Sequence, residues 1–153
     1  MLLKQINRDD AERIYVSVQN ASGVTLSVGQ FVCYDWRNAT SIGNAVVKPT
    51  TSTIGLFAGV VAGGSNPYSN IGKDKYGLVQ CWGVHDSVAY HVGAASLSAA
   101  GMYVFPANAQ FSGQTNGAIA GAFGSVANVI RGAFILTNDV SGSKQASAFV
   151  RAL

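Results

Sequence analysis

The sequence predicts an all-β fold, an antiparallel β-sandwich or barrel of about eight to ten short strands behind an N-terminal arm. Three observations predict it. Short runs rich in β-branched and aromatic residues recur along the chain, turn-forming Gly, Asn, Ser and Asp separate them, and apolar and polar residues alternate in the first of them.

The arm, Met1 to Arg13, carries Lys4, Arg8, Asp9, Asp10, Glu12 and Arg13, charges of both signs that nearly cancel, and reads as a solvated arm or short helix. Its two leucines are followed by charges, so it lacks the apolar centre of a secretory signal. Residues 14–153 then read as a single β domain, large enough to bury a core without metals or disulfides.

In Ile14 to Gln19, Ile14, Val16 and Val18 alternate with Tyr15, Ser17 and Gln19, which puts one face on a core. A turn-rich piece, Asn20 to Gly29, leads to Gln30 to Trp36, and Ala45 to Val47 and Leu56 to Ala62 follow. Phe31 to Tyr34 and Leu56 to Val61 are apolar on both faces, as in strands buried between two layers or between subunits. Gly63 to Gly72 is a loop, in which Gly63-Gly64-Ser65 lacks the Lys-Ser/Thr of a phosphate-binding loop.

Gly77 to Val84 is the next strand, a tight turn is expected at His85 to Ser87, and Ser87 to Val92 continues beyond it. Met102 to Phe105, Val129 to Leu136 and Ala146 to Val150 complete the set, with Asn138 to Lys144 as the last turn-rich piece. Leu26-Ser27-Val28-Gly29-Gln30-Phe31-Val32 is echoed by Leu97-Ser98-Ala99-Ala100-Gly101-Met102-Tyr103-Val104 with one inserted residue. Duplicated halves or a shared turn solution account for this equally well.

Charge is scarce. Charged residues make up 11% of the chain, against roughly a quarter in an average soluble domain. Between Tyr76 and Ile130 there is no Lys or Arg, and Asp86 is the one carboxylate. Such a surface is covered by protein or kept wet by neutral amides and hydroxyls. The net charge of +3 comes from ten scattered Lys and Arg without a run, which does not make a nucleic-acid track. The longest apolar stretch, Ala118 to Leu136, is interrupted by glycines, Ser125, Asn128 and Arg131 and is no membrane span.

The residues able to carry chemistry are few. His85, Asp86 and Ser87 are adjacent, whereas the members of a catalytic triad converge from separate places in the chain. Cys81, His85 and His91, with Cys33 or Asp86 as a fourth ligand, match no closed zinc spacing. Glu12 is the only Glu, so paired carboxylates for acid and base work are lacking. Cys33 and Cys81 lie within apolar runs and read as buried free thiols, with a disulfide left open. The expectation is a non-enzymatic chain with no catalytic residue, no metal and no cofactor. Tyr34, Trp36, Tyr68, Tyr76, Trp82, Tyr90 and Tyr103 serve packing first and protein contact second. The candidate contact residues are Arg8, Arg13, Trp36, Trp82 and Tyr90.

Three segments carry a resemblance. Val18-Gln19-Asn20-Ala21-Ser22-Gly23-Val24-Thr25-Leu26 with Gly29 and Val32, Tyr76-Gly77-Leu78-Val79-Gln80-Cys81-Trp82-Gly83-Val84, and Val129-Ile130-Arg131-Gly132-Ala133-Phe134 resemble the small β-rich head decoration, or cement, proteins of tailed bacteriophages. The resemblance implies a virion structural protein on the outer capsid surface. Many copies, commonly as homotrimers, would bind the major capsid protein and clamp neighbouring subunits, with neither nucleic acid nor membrane as partner. The alternative is a carbohydrate- or receptor-binding β module of a virion surface or tail, and a hydrolase using His85 or His91 is a third reading.

Overall fold

One strand organises the chain. In a computed structural model describing residues 12–37, 44–64, 69–91, 103–107, 109, 111–115, 132–136 and 145–152, β5 (Tyr76–His91) runs for 16 residues and pairs along both edges at both ends. Around its first half lie β1 (Ile14–Asn20), β2 (Phe31–Tyr34), β3 (Ala45–Val47) and β4 (Phe57–Gly63). Around its second half lie β6 (Tyr103–Pro106), β7 (Gly113–Thr115), β8 (Gly132–Ile135) and β9 (Gln145–Arg151). All described regular structure is strand, in one nine-stranded sheet ordered β1-β3-β2-β4-β5-β7-β6-β8-β9.

Two further pairings close that sheet on itself. β1 also pairs with β5, and β5 also pairs with β9, so β1-β3-β2-β4-β5 and β5-β7-β6-β8-β9 are each closed rings of strands. The described residues therefore form a pair of small five-stranded barrels sharing β5. The expected all-β class holds, but the sheet is mixed. β1 with β3, and β5 with β7, are parallel. In each barrel the third strand lies between the first two; being antiparallel to the second, it runs parallel to the first.

The two barrels repeat in register. Cys33↔Val47 and Tyr34↔Val46 recur as Phe105↔Gln114 and Pro106↔Gly113. Phe31↔Val60 and Val32↔Gly59 recur as Tyr103↔Phe134 and Val104↔Ala133. Val60↔Gln80 and Val61↔Val79 recur as Phe134↔Phe149 and Ile135↔Ala148. Val18↔Gly77 and Gln19↔Tyr76 recur as Val88↔Ala146 and Ala89↔Gln145, and Asn20↔Val46 as Tyr90↔Gly113. The sequence echo is thus part of a structural duplication, since it equates Phe31 and Val32 with Tyr103 and Val104. Its residues 97–102 lie outside the described residues.

Inward positions match accordingly. Val18, Val32, Val61 and Val79 are buried in one cluster with Leu26, Val46, Ala58 and Ile71. Their counterparts Val88, Val104, Ile135 and Ala148 are buried in the other. The strands apolar on both faces are buried between two cores of this chain: Val32 and Val61 face the first, while Phe31, Phe57 and Val60 join the second. Phe31 and Phe57 stack with centroids 5.3 Å apart. Each such buried side chain contributes roughly 1.5–3 kcal/mol by leaving water.

The expected turn at His85 to Ser87 does not form. β5 passes straight through it, absorbing the polar residues as an irregularity in its pairing with β9 between His85 and Val88. Gly83, at φ +99°, lies next to the switch from one barrel to the other, and a side chain there would collide with the carbonyl of Glu12. Cys33 and Cys81 are buried free thiols. Of the arm, Glu12 and Arg13 are described; Arg8 and the expected short helix lie outside the described residues, as do Tyr68, Val129 to Arg131 and Asn138 to Lys144.

Candidate interaction surfaces

The His85-Asp86-Ser87 run lies in a cleft of about 300 Å³ at the waist between the barrels, with Arg13, Tyr15, Val28, Ala62, Leu78 and Gln80 around it. His85 is buried, with Nε2 3.3 Å from the carbonyl of Val61 and Nδ1 accepting the Ser87 N–H at 3.1 Å. That acceptor role places the ring proton on Nε2, where it donates to Val61. Burial is the main cause lowering the His85 pKa, ahead of the opposing hydrogen bond to Val61.

Ser87 Oγ donates to Gln145 Oε1 at 2.9 Å, and Asp86 lies in the open, 3.5 Å from the Arg13 guanidinium. The Ser87 hydroxyl, the imidazole and the carboxylate thus engage different groups: Gln145, the backbone of Val61 and Ser87, and Arg13. An ion pair as exposed as Arg13–Asp86 contributes at most about 1 kcal/mol, but it ties the root of the arm to the irregular stretch of β5.

Neither cysteine is set to bind zinc. Cys81 donates its thiol to the carbonyl of Ile14 at 3.3 Å, and burial pushes the Cys33 pKa up to about 12. Among the described residues no cluster of three or more His, Cys, Asp or Glu is placed to hold a metal.

The contact candidates separate. Tyr90 is 2% exposed and belongs to the second core, in the register position that Asn20 holds in the first barrel. It is a packing residue rather than a surface one, because the strand that was expected to start at Ser87 is the inward-facing continuation of β5. Trp36 follows β2, is 63% exposed, and lies under the Arg37 guanidinium at 5.2 Å. Trp82 is half-buried, edge-on to Phe149 with centroids 5.1 Å apart.

Around Trp82 is a depression of about 330 Å³, with Tyr103, Leu136, Phe149 and Arg151. Leu136, Phe149 and Arg151 line it without having been singled out by the sequence. The signal was the alternation in Gln145–Arg151: Ala146, Ala148 and Val150 point inward, so the large aromatic at position 149 stands in the outward phase. Other large apolar residues are also exposed, among them Ile14, Tyr15, Val24 and Tyr76. No protein-family profile matches the chain, and no curated protein is significantly similar to it.

Proposed function

We propose that this chain is a structural protein of a bacteriophage particle, a decoration or cement protein that sits in many copies on the outside of the head and stabilises contacts between major capsid subunits. The observation that carries this reading is a charge-poor β body with large apolar side chains turned outward, Trp36, Tyr76, Tyr103 and Leu136 among them. Such side chains anchor protein contacts, and a stable contact buries roughly 800 Å² per partner. The engagement of His85, Ser87 and both thiols in hydrogen bonds or packing favours attachment over catalysis.

The test is a reconstitution. Heads lacking the protein are mixed with purified chain, sedimented, and heated alongside untreated heads at low ionic strength. Saturable co-sedimentation with improved survival is expected. Heads that neither take up the chain nor gain survival would remove the reading.

A further inference from the structure

The duplication sets a comparison that the molecule makes with itself. In the first barrel, the outward Phe31 of β2 is covered by the second barrel, and the outward Gln80 of β5 is withdrawn from water at the waist. Phe31 is fully buried against Val104 and Gly113, and Gln80 is 1% exposed in the waist cleft beside His85, Asp86 and Ser87. Ala62, just inside the end of β4, lines the same cleft.

Register gives each of these a counterpart in the second barrel. Phe31 corresponds to Tyr103, Gln80 to Phe149, and Ala62, next after Val61, to Leu136, next after Ile135. Those counterparts surround the depression at Trp82. Tyr103 is 44% exposed and Leu136 42%. The position filled by polar Gln80 in the covered copy is held by Phe149 in the exposed one, and small Ala62 is matched by Leu136. At two of these three positions the residue nearer solvent is thus larger and more apolar than its counterpart, while Tyr103 adds a hydroxyl to the Phe31 position; large apolar side chains held at a surface mark a contact face.

We infer that the outer face of the second barrel, centred on Tyr103, Leu136 and Phe149, is a self-association surface that a second copy of this chain covers. The occupant is argued from continuity. The one body seen covering this face, in its first occurrence, is another five-stranded unit of the same topology, and in repeat architectures a unit's open face is completed by a further unit. Trp82 supplies a large half-buried aromatic anchor at the centre, and Arg151 lies at the same depression, in keeping with the enrichment of aromatic and Arg side chains at interfaces. This deepens the many-copy reading by assigning a face to it. Its test uses purified protein without any shell, so either reading can fail while the other stands.

Sedimentation equilibrium from about 1 to 100 μM gives the association constant, the upper limit corresponding to weak association of roughly 5.5 kcal/mol. A Leu136→Glu, Tyr103→Ser variant is compared with wild type and with Val24→Ser, which alters an exposed apolar residue outside the depression. The expected result is a concentration-dependent oligomer for wild type and Val24→Ser, and at least tenfold weaker association for the double variant at unchanged melting temperature. Should the double variant lose stability, Leu136→Ser alone decides, and it is expected to weaken association severalfold at unchanged melting temperature. A wild-type monomer throughout the range, or undiminished association in a folded double or Leu136→Ser variant, would each overturn the inference. So would saturable glycan binding at Trp82 by a chain that stays monomeric.

Discussion

The aromatic ring of Phe31 fills the space above Gly113: a Cβ on that glycine would stand 2.7 Å from Phe31 Cζ and 3.0 Å from Val104 Cβ. In the first barrel the corresponding position is Val46, fully buried. The second core therefore omits one side chain of its own and receives one from the neighbouring barrel.

That exchange can be measured. Phe31→Ala is expected to cost about 3–5 kcal/mol by leaving a cavity, and Gly113→Ala about 1–3 kcal/mol by overpacking. Because the two compete for one space, the Gly113→Ala cost should shrink by at least about 1 kcal/mol in the Phe31→Ala background. Urea denaturation of the four proteins checks this. Strict additivity would mean that the contact is unimportant.

Asn20 offers a second prediction. It is fully buried at the end of β1, and its Nδ2 donates to the carbonyls of Val24, Ile71 and Gly72 at 2.7, 2.9 and 3.1 Å. Its Oδ1 accepts from the Ser22 N–H and the Ser22 hydroxyl at 3.0 and 2.6 Å. One side chain thereby joins the turn after β1 to the turn before β5. Asn20→Ala should destabilise by about 1–3 kcal/mol, since it removes the side chain that bonds both turns, although the carbonyls of Ile71 and Gly72 keep the N–H groups of Leu26 and Lys75. Asn20→Asp should be at least as damaging at pH 7, because a carboxylate cannot donate to the carbonyls. Thermal unfolding ranks the three chains, and an Asp variant as stable as wild type would refute this account of the turn.

His85 makes stability depend on pH. Burial lowers its folded-state pKa below the ordinary value of 6.5, so the unfolded chain takes up a proton at a pH where the folded chain does not. The contribution is fully present above pH 6.5 and is lost as pH falls below it, at up to about 1.4 kcal/mol per pH unit for one proton, until the folded-state pKa is passed. His85→Gln keeps an amide donor near Val61 and removes the titration. Melting temperatures between pH 7.5 and 5 should fall more steeply for wild type than for the variant; equal slopes would count against a buried neutral imidazole.

Much of the fold was legible in the sequence because strand formation here follows local chemistry. Val16 and Val18 alternate with Ser17 and Gln19, and Phe31 to Tyr34 is apolar throughout; both are strands where expected. β7 was not legible, since Gly113-Gln114-Thr115 has no apolar residue and is strand only through its bonds to β5 and β6. His85 to Ser87 has turn composition, yet two barrels pair with β5 and hold it extended. The duplication left little sequence trace because each repeated inward position asks only for a small apolar residue, as Val79 and Ala148 show. Around the depression at Trp82, the tryptophan stands out in the sequence by its size, but its neighbours Leu136 and Phe149 come from distant strands that only the closed sheet brings together.

The shared strand also governs how the molecule bears load. Two bodies joined by a linker swivel, and two joined by an interface can shear apart. Here a single unbroken backbone is stitched into both barrels by hydrogen bonds on either side, so tension on one is transmitted through covalent chain to the other. The two lobes therefore cannot be pulled apart at β5 without first breaking the strand pairings of one barrel.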